Sequence, residues 1–143
     1  NVTEFRRVLF RSLIICERSL LSSSGVFARM LHSHEIMNPL EYQIYMNMFS
    51  IVPNIERYMP SKIFYLKLDS YYCHERISMR DRKGEEDISV DYLDECNMFY
   101  EKWLNEINVP YKVYEIKPRE NGVASVGTDL EQIQASFLEF LVT

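Results

Sequence analysis

The sequence has 143 residues, 47% of them hydrophobic and 26% charged, with a net charge of −5 at pH 7. That composition suits one ordinary globular domain and excludes a disordered tail, a collagen-like repeat and a disulfide-knotted peptide. No uncharged apolar run approaches the ~20 residues of a membrane-spanning helix, and the acidic balance argues against a sequence-independent nucleic-acid binder. Neither a membrane nor a nucleic acid is expected as a partner.

The first twelve residues stand apart. They carry Arg6, Arg7 and Arg11 against Glu4, while the remainder of the chain has 13 basic and 20 acidic residues. The string from Phe5 to Ser12 back-translates to the end of a common sequencing adapter, so residues 1–12 are read as a cloning or assembly scar. The competing readings are a short basic helix and an Arg-rich targeting peptide.

From Leu13 onward, short apolar runs alternate with helical periods. Leu13-Ile14-Ile15-Cys16 has the pattern of a strand buried on both faces. Ser19 to Leu31 reads as a helix with Val26, Phe27, Met30 and Leu31 on its apolar side. Asn38-Pro39-Leu40-Glu41 opens the next helix, with Asn at the N-cap, Pro at the first turn and Glu reaching back. That helix runs towards Val52 and ends at Pro53. Ile63 to Leu68 is a second strand, and Asp69-Ser70 caps a helix over about Tyr71 to Arg80. A polar stretch from Asp81 to Asp87 follows, and Ser89 then opens a long helix through Trp103 and Ile107. Tyr111 to Ile116 is a third strand, and Thr128-Asp129-Leu130-Glu131 is a capping box for a last helix to about Leu141. This order predicts an α/β fold, a parallel sheet with helices on both faces.

Three cysteines, Cys16, Cys73 and Cys96, are widely spaced and form no CxxC pair. They read as reduced, mostly buried thiols in a cytoplasmic protein, not as a disulfide or zinc framework. His32, His34 and Glu35 could be drawn as metal ligands, but the stretch reads as a helix end with surface histidines.

Two clusters can carry chemistry. Glu17-Arg18-Ser19 follows the first apolar run, at the carboxyl end of a strand, where open α/β sheets place ligands. Such a carboxylate can hold magnesium, usually through water, and the guanidinium can grip phosphate. The ordinary alternative is a solvated ion pair. Arg76, Arg80 and Arg82 form the second cluster, followed by Gly84-Glu85-Glu86-Asp87. Spacing of four puts Arg76 and Arg80 on one helix face. Guanidiniums converging near a helix end repel unless an anion sits between them, and a mobile segment of this kind can close over a phosphoryl group. Here the ordinary alternative is a charged loop whose acids and bases pair in water.

Together these residues resemble the deoxynucleoside kinases of the thymidine kinase 2, deoxycytidine kinase and insect deoxynucleoside kinase type. The likeness rests on Glu17-Arg18-Ser19, Phe27-Ala28, Met37-Asn38 and the Arg76, Ile77, Arg80, Arg82, Glu85 series. It continues through Tyr92-Leu93, Trp103-Leu104 and Val109-Pro110. The resemblance implies a P-loop-kinase-like fold and transfer of the γ-phosphate of ATP, or another nucleoside triphosphate, to the 5′-hydroxyl of a deoxynucleoside. It implies Mg2+ held through Glu17, Arg18 beside the 5′-hydroxyl, and Phe27 stacked on the base. It further implies Arg76, Arg80 and Arg82 as lid arginines within about residues 76–88, Glu85 on the sugar 3′-hydroxyl, and a homodimer.

Departures from the family pattern are as informative. Ser23 stands where members preferring deoxycytidine and purines carry Asp, which leans towards pyrimidine or broad preference. Gly84 replaces the first lid Glu of many relatives, so spacing makes Glu85 the sugar ligand. No G-x-x-x-x-G-K-[ST] pattern occurs. The expectation is a C-terminal part of such a kinase, residues 13–143, inactive by itself. Alternatives are part of a nucleoside monophosphate (thymidylate-like) kinase and a non-catalytic kinase-like partner subunit. Tyr42, Tyr45, Met46 and Phe49 are read as a partner surface or a core face. Tyr71-Tyr72 and Tyr100-Trp103 are read as packing, and Lys117 to Gly127 as the loop where relatives hold the donor's adenine.

Overall fold

The computed structural model describes residues 13–117 and 126–142. The segment 1–12 and most of the loop after Lys117 lie outside the described residues.

The first apolar run does not form the expected strand. Leu13, Ile14 and Ile15 have no regular secondary structure and are exposed by 59%, 79% and 69%, and Cys16 is exposed with them. A strand needs a neighbour for its backbone hydrogen bonds, and among the described residues none lies beside this run. The burial expected for Cys16 goes with it.

A three-part helix follows, α1, made of Leu20–Ser22, a π-helical segment Ser23–Ala28 and Arg29–Ser33. Ser19 caps it, exchanging backbone and side-chain bonds with Ser22. The hydroxyls of Ser22 and Ser23 donate to Ser19 O, and that of Ser24 to Leu20 O and Leu21 O. Such back-bonding competes with the α-helical ladder and suits a widened π turn. The wider turn shifts the inward face: Val26 and Met30 are buried, but Leu31 is 37% exposed. α2 (Pro39–Ile51) carries the expected capping box at Asn38 and Glu41. A short 3-10 turn (Ile55–Tyr58) leads towards β1 (Ile63–Lys67). Asp69 caps α3 (Ser70–Arg80), and Ser89 caps α4 (Val90–Glu106). After β2 (Tyr111–Glu115), α5 (Val126–Val142) closes the described chain. It begins two residues before the expected capping box, a shift within the slack of a terminal-turn pattern.

β1 and β2 pair in parallel, with Ile63 opposite Tyr111 and Lys67 opposite Glu115. Alternation along β1 sends side chains to two cores. Phe64 and the following Leu68 join Ile116, Ile133, Tyr72 and Tyr114 on one side. Ile63 and Tyr65 join Val26, Trp103, Leu104 and Phe27 on the other. α5 is fastened to the first face by Lys62, which donates to Phe140 O at 2.7 Å, and by Lys112, paired with Glu139 at 2.9 Å. α1 and α4 cover the second face, locked by an Arg29–Glu106 ion pair. Among the described residues this is an α/β layer with a two-stranded parallel sheet and helices on both faces. No helix there is long and apolar enough to cross a membrane.

Candidate functional site

Glu17 and Arg18 lie at the bend that leads into α1. Arg18 takes a left-handed backbone, φ 63°, which for a non-glycine residue marks a tight local constraint. Its guanidinium sits over the Phe27 ring, 4.8 Å from the centroid, a cation–π geometry. Phe27 is half-buried and meets the edge of Tyr100 at 5.9 Å, so one ring serves the core and carries Arg18. The expected seat at a strand end is thus replaced by a seat at a bend, because the preceding run has no ladder partner.

Three groups of α4 also face Arg18, and the sequence reading did not connect them. Burial raises the pKa of Tyr92, Cys96 and Tyr100, and the nearby Arg18 charge pulls each one back. Their spacing of four along α4 puts them in one row, the signal that could have found them. Ser23 is half-buried and gives its hydroxyl proton to Ser19 O at 3.2 Å. That position presents no charge to a ligand. Glu17 is exposed and in no ion pair among the described residues.

The second cluster lies where α3 ends. Arg80 is its last residue, and Asp81 (φ 46°) and Gly84 (φ 91°) turn the chain back. Glu85 N donates to Arg82 O and Ile88 N to Glu85 O, closing the turns. Glu85 then meets both bases: Arg80 Nη2 at 2.5 Å and Arg82 Nη1 at 3.7 Å. Arg76, one helical turn earlier, is in no ion pair among the described residues. It lines an open pocket of about 610 Å³ with Leu68, Cys73, Ile77, Met79, Arg80 and Leu93. Burial pushes the Cys73 thiol up, and Arg76 partly offsets it. The anion expected between the arginines is here a carboxylate of the same loop.

The remaining candidates have plain roles. His32 stacks on Tyr42 at 4.5 Å, and its Nδ1 lies 3.0 Å from Met37 O. His34 pairs with Glu95 at 2.8 Å. On α2 the aromatic residues Tyr42, Tyr45 and Phe49 are half-buried, whereas Leu40, Ile44, Met48 and Ile51 are exposed by 54–75%. The open face of that helix is aliphatic. Tyr71 is 57% exposed against the edge of Tyr72, while Trp103 is buried beside Tyr100.

The arrangement of helices around a parallel sheet is found in known proteins. The family model described as "Deoxynucleoside kinase" matches residues 4–138, and the chain belongs to that family. It is 36% identical over 95 residues to deoxycytidine kinase 2 of Gallus gallus, which covers 63% of this chain and 35% of the relative. It is 26% identical over 136 residues to the mitochondrial deoxyguanosine kinase of Xenopus laevis, covering 87% of this chain and 51% of the relative. In fold it is similar to a deoxyadenosine kinase from M. mycoides solved with products bound, at a TM-score of 0.67 and 21% identity. That match covers 96% of this chain and 67% of the other. The chain spans about half the length, or less, of the curated relatives it matches.

Proposed function

We propose that the protein to which this chain belongs transfers a phosphoryl group from ATP or another nucleoside triphosphate to the 5′-hydroxyl of a deoxynucleoside. The observation that carries this reading is the end of α3, where Arg80 and Arg82 share the Glu85 carboxylate beside the Arg76-lined pocket. Arginines so placed neutralise charge on a transferring phosphoryl group, and a carboxylate among them can accept from a sugar hydroxyl. In this reading Arg18 attends the 5′-hydroxyl and incoming phosphate, Phe27 stacks on the base, and Glu85 takes the 3′-hydroxyl. Solved relatives in fold that hold dATP and dCTP support a nucleoside triphosphate as one ligand.

Magnesium ions are commonly held by one or two carboxylates together with substrate phosphates. Glu17, exposed and in no ion pair among the described residues, fits that mode beside Arg18, and the bound ion would supply charge neutralisation on the donor. The uncharged Ser23, its hydroxyl already bonded to Ser19 O, supports pyrimidine or broad base preference. The sequence has no phosphate-cradling G-x-x-x-x-G-K-[ST] pattern, so we take the chain alone to be inactive. The aliphatic stripe on α2 is the face we assign to a homodimer. A cytoplasmic, reducing location agrees with three free cysteines.

The test is an NMR titration of the chain with thymidine, deoxycytidine, deoxyadenosine and the corresponding 5′-monophosphates. Weak, saturable shifts at Ser23, Phe27 and Glu85 with the nucleosides are expected, and Phe27→Ala should abolish them. Selective binding of the monophosphates would turn the reading to a monophosphate kinase, and no binding of either class would overturn it.

A further inference from the structure

We infer that Glu85 is an exchangeable internal counter-ion, a latch that occupies Arg80 and Arg82 until an external phosphate displaces it. The geometry divides the carboxylate between two bases. Glu85 Oε2 receives from Arg80 Nη2 at 2.5 Å, and Oε1 lies 3.7 Å from Arg82 Nη1. Only 19% of the Glu85 side chain is accessible, against 51% and 67% for the two arginines. The acid is therefore seated, and the bases keep open faces from which an incoming anion can approach. The seat is made by the backbone: Gly84 at φ 91° is a conformation that side chains disfavour, and nothing lies within 4 Å of where its Cβ would be. Its N–H is held by Glu86 Oε2 at 2.7 Å.

Arg76 completes the device. Having no ion pair among the described residues, it stands as a free charge on the rim that Arg80 also lines. A polyphosphate can pair with Arg76 and competes with Glu85 for the other two guanidiniums. Exposed ion pairs of this kind are weak enough to exchange, so the latch sets a threshold without closing the site. A second consequence rests on the functional reading above. If Glu85 turns to a sugar hydroxyl, Arg80 and Arg82 are released, and deoxynucleoside binding promotes phosphate binding through a differential contact.

The experiment titrates inorganic pyrophosphate into the chain at low ionic strength and follows the Arg80 and Arg82 Nε–H signals. Glu85→Gln should bind pyrophosphate about two- to fivefold tighter than wild type, the size expected from removing an exposed pair. Asp87→Asn makes the same change of net charge in the same loop and should give a smaller gain. Glu85→Asp keeps the charge but shortens the reach and should fall between Glu85→Gln and wild type. An Asp87→Asn gain equal to or above that of Glu85→Gln, or no gain in Glu85→Gln, overturns the latch. A separate arm adds thymidine or 3′-deoxythymidine. Tightening of pyrophosphate by thymidine alone, in wild type and not in Glu85→Gln, is expected. Its absence, with the Glu85→Gln gain intact, overturns the sugar contact and leaves the latch standing.

Discussion

Two apolar runs of similar character meet different fates in this chain. Ile63 to Lys67 becomes β1, hydrogen-bonded to β2 and packed into a core on each face, with only Leu66 exposed. Leu13 to Ile15, as rich in β-formers, forms no strand and keeps its side chains exposed. Composition and local propensity cannot separate the two. What differs is the partner: β1 has a parallel neighbour and two helical layers, and the first run has neither among the described residues. Strand formation is decided by long-range pairing, and propensity states only that a segment would fit a pleated surface if one were offered.

The largest expected effect measures that contrast directly. Leu68, 7% exposed and packed with Ile116 and Ile133 at the end of β1, should cost about 2–4 kcal/mol when replaced by Ala. Ile15→Ala, in the exposed run, should change stability by less than about 0.5 kcal/mol. Urea unfolding of both variants checks the pair. An Ile15→Ala loss comparable to that of Leu68→Ala would break the comparison, because it would mean the first run is covered in solution.

Just beyond the exposed run, the chain becomes committed at Gly25. A Cβ there would fall far inside contact distance of the Trp103 indole, which is itself buried in the core beneath β1. Gly25→Ala should therefore cost about 2–3 kcal/mol by overpacking, seen as a lowered urea midpoint with an unchanged slope. In a Trp103→Leu background Gly25→Ala should cost less than it does in the wild type, which places the clash at that one contact.

Much of the frame was legible because its signals are local. The Asn38–Glu41 box and the Asp69 and Ser89 caps depend on neighbours within a few residues. The π segment was not, since it arises from three serine hydroxyls folding back where a glycine admits Trp103 from a distant helix. On α2, apolar residues occur on both sides, so periodicity could not say that the aromatic side packs and the aliphatic side stays open. At the site, the arginine series was plain in the sequence. Pairing between acids and bases of that loop was one of its readings, but that Glu85 is the acid between Arg80 and Arg82 was not legible, because it depends on the turn at Gly84 and not on spacing. Arg18 over Phe27 was equally hidden, since their contact crosses the bend and the widened helix.

The smallest effect tests how β1 and the start of the arginine-bearing α3 are joined to α4. Tyr65 donates its hydroxyl to Asn97 Oδ1 at 3.1 Å, and Asn97 Nδ2 donates to Leu68 O at 3.3 Å and Ser70 Oγ at 3.0 Å. That chain of bonds ties α4 to the turn between β1 and α3. Burial, helped by the Glu101 charge, pushes the Tyr65 phenol up to about 12 from its ordinary 10. The fold thus favours the neutral phenol, and its contribution to stability is complete below pH 10. As pH rises from 10 to about 12, the unfolded chain ionises first and that contribution is lost. Tyr65→Phe removes one hydrogen bond, about 1 kcal/mol near neutral pH, and should flatten the alkaline fall in the thermal midpoint. The fall should persist in part, because burial raises Tyr92 and Tyr100 in the same direction. An alkaline profile as steep in Tyr65→Phe as in wild type would mean that the phenol is open to water and that β1 is fastened to α4 by packing alone.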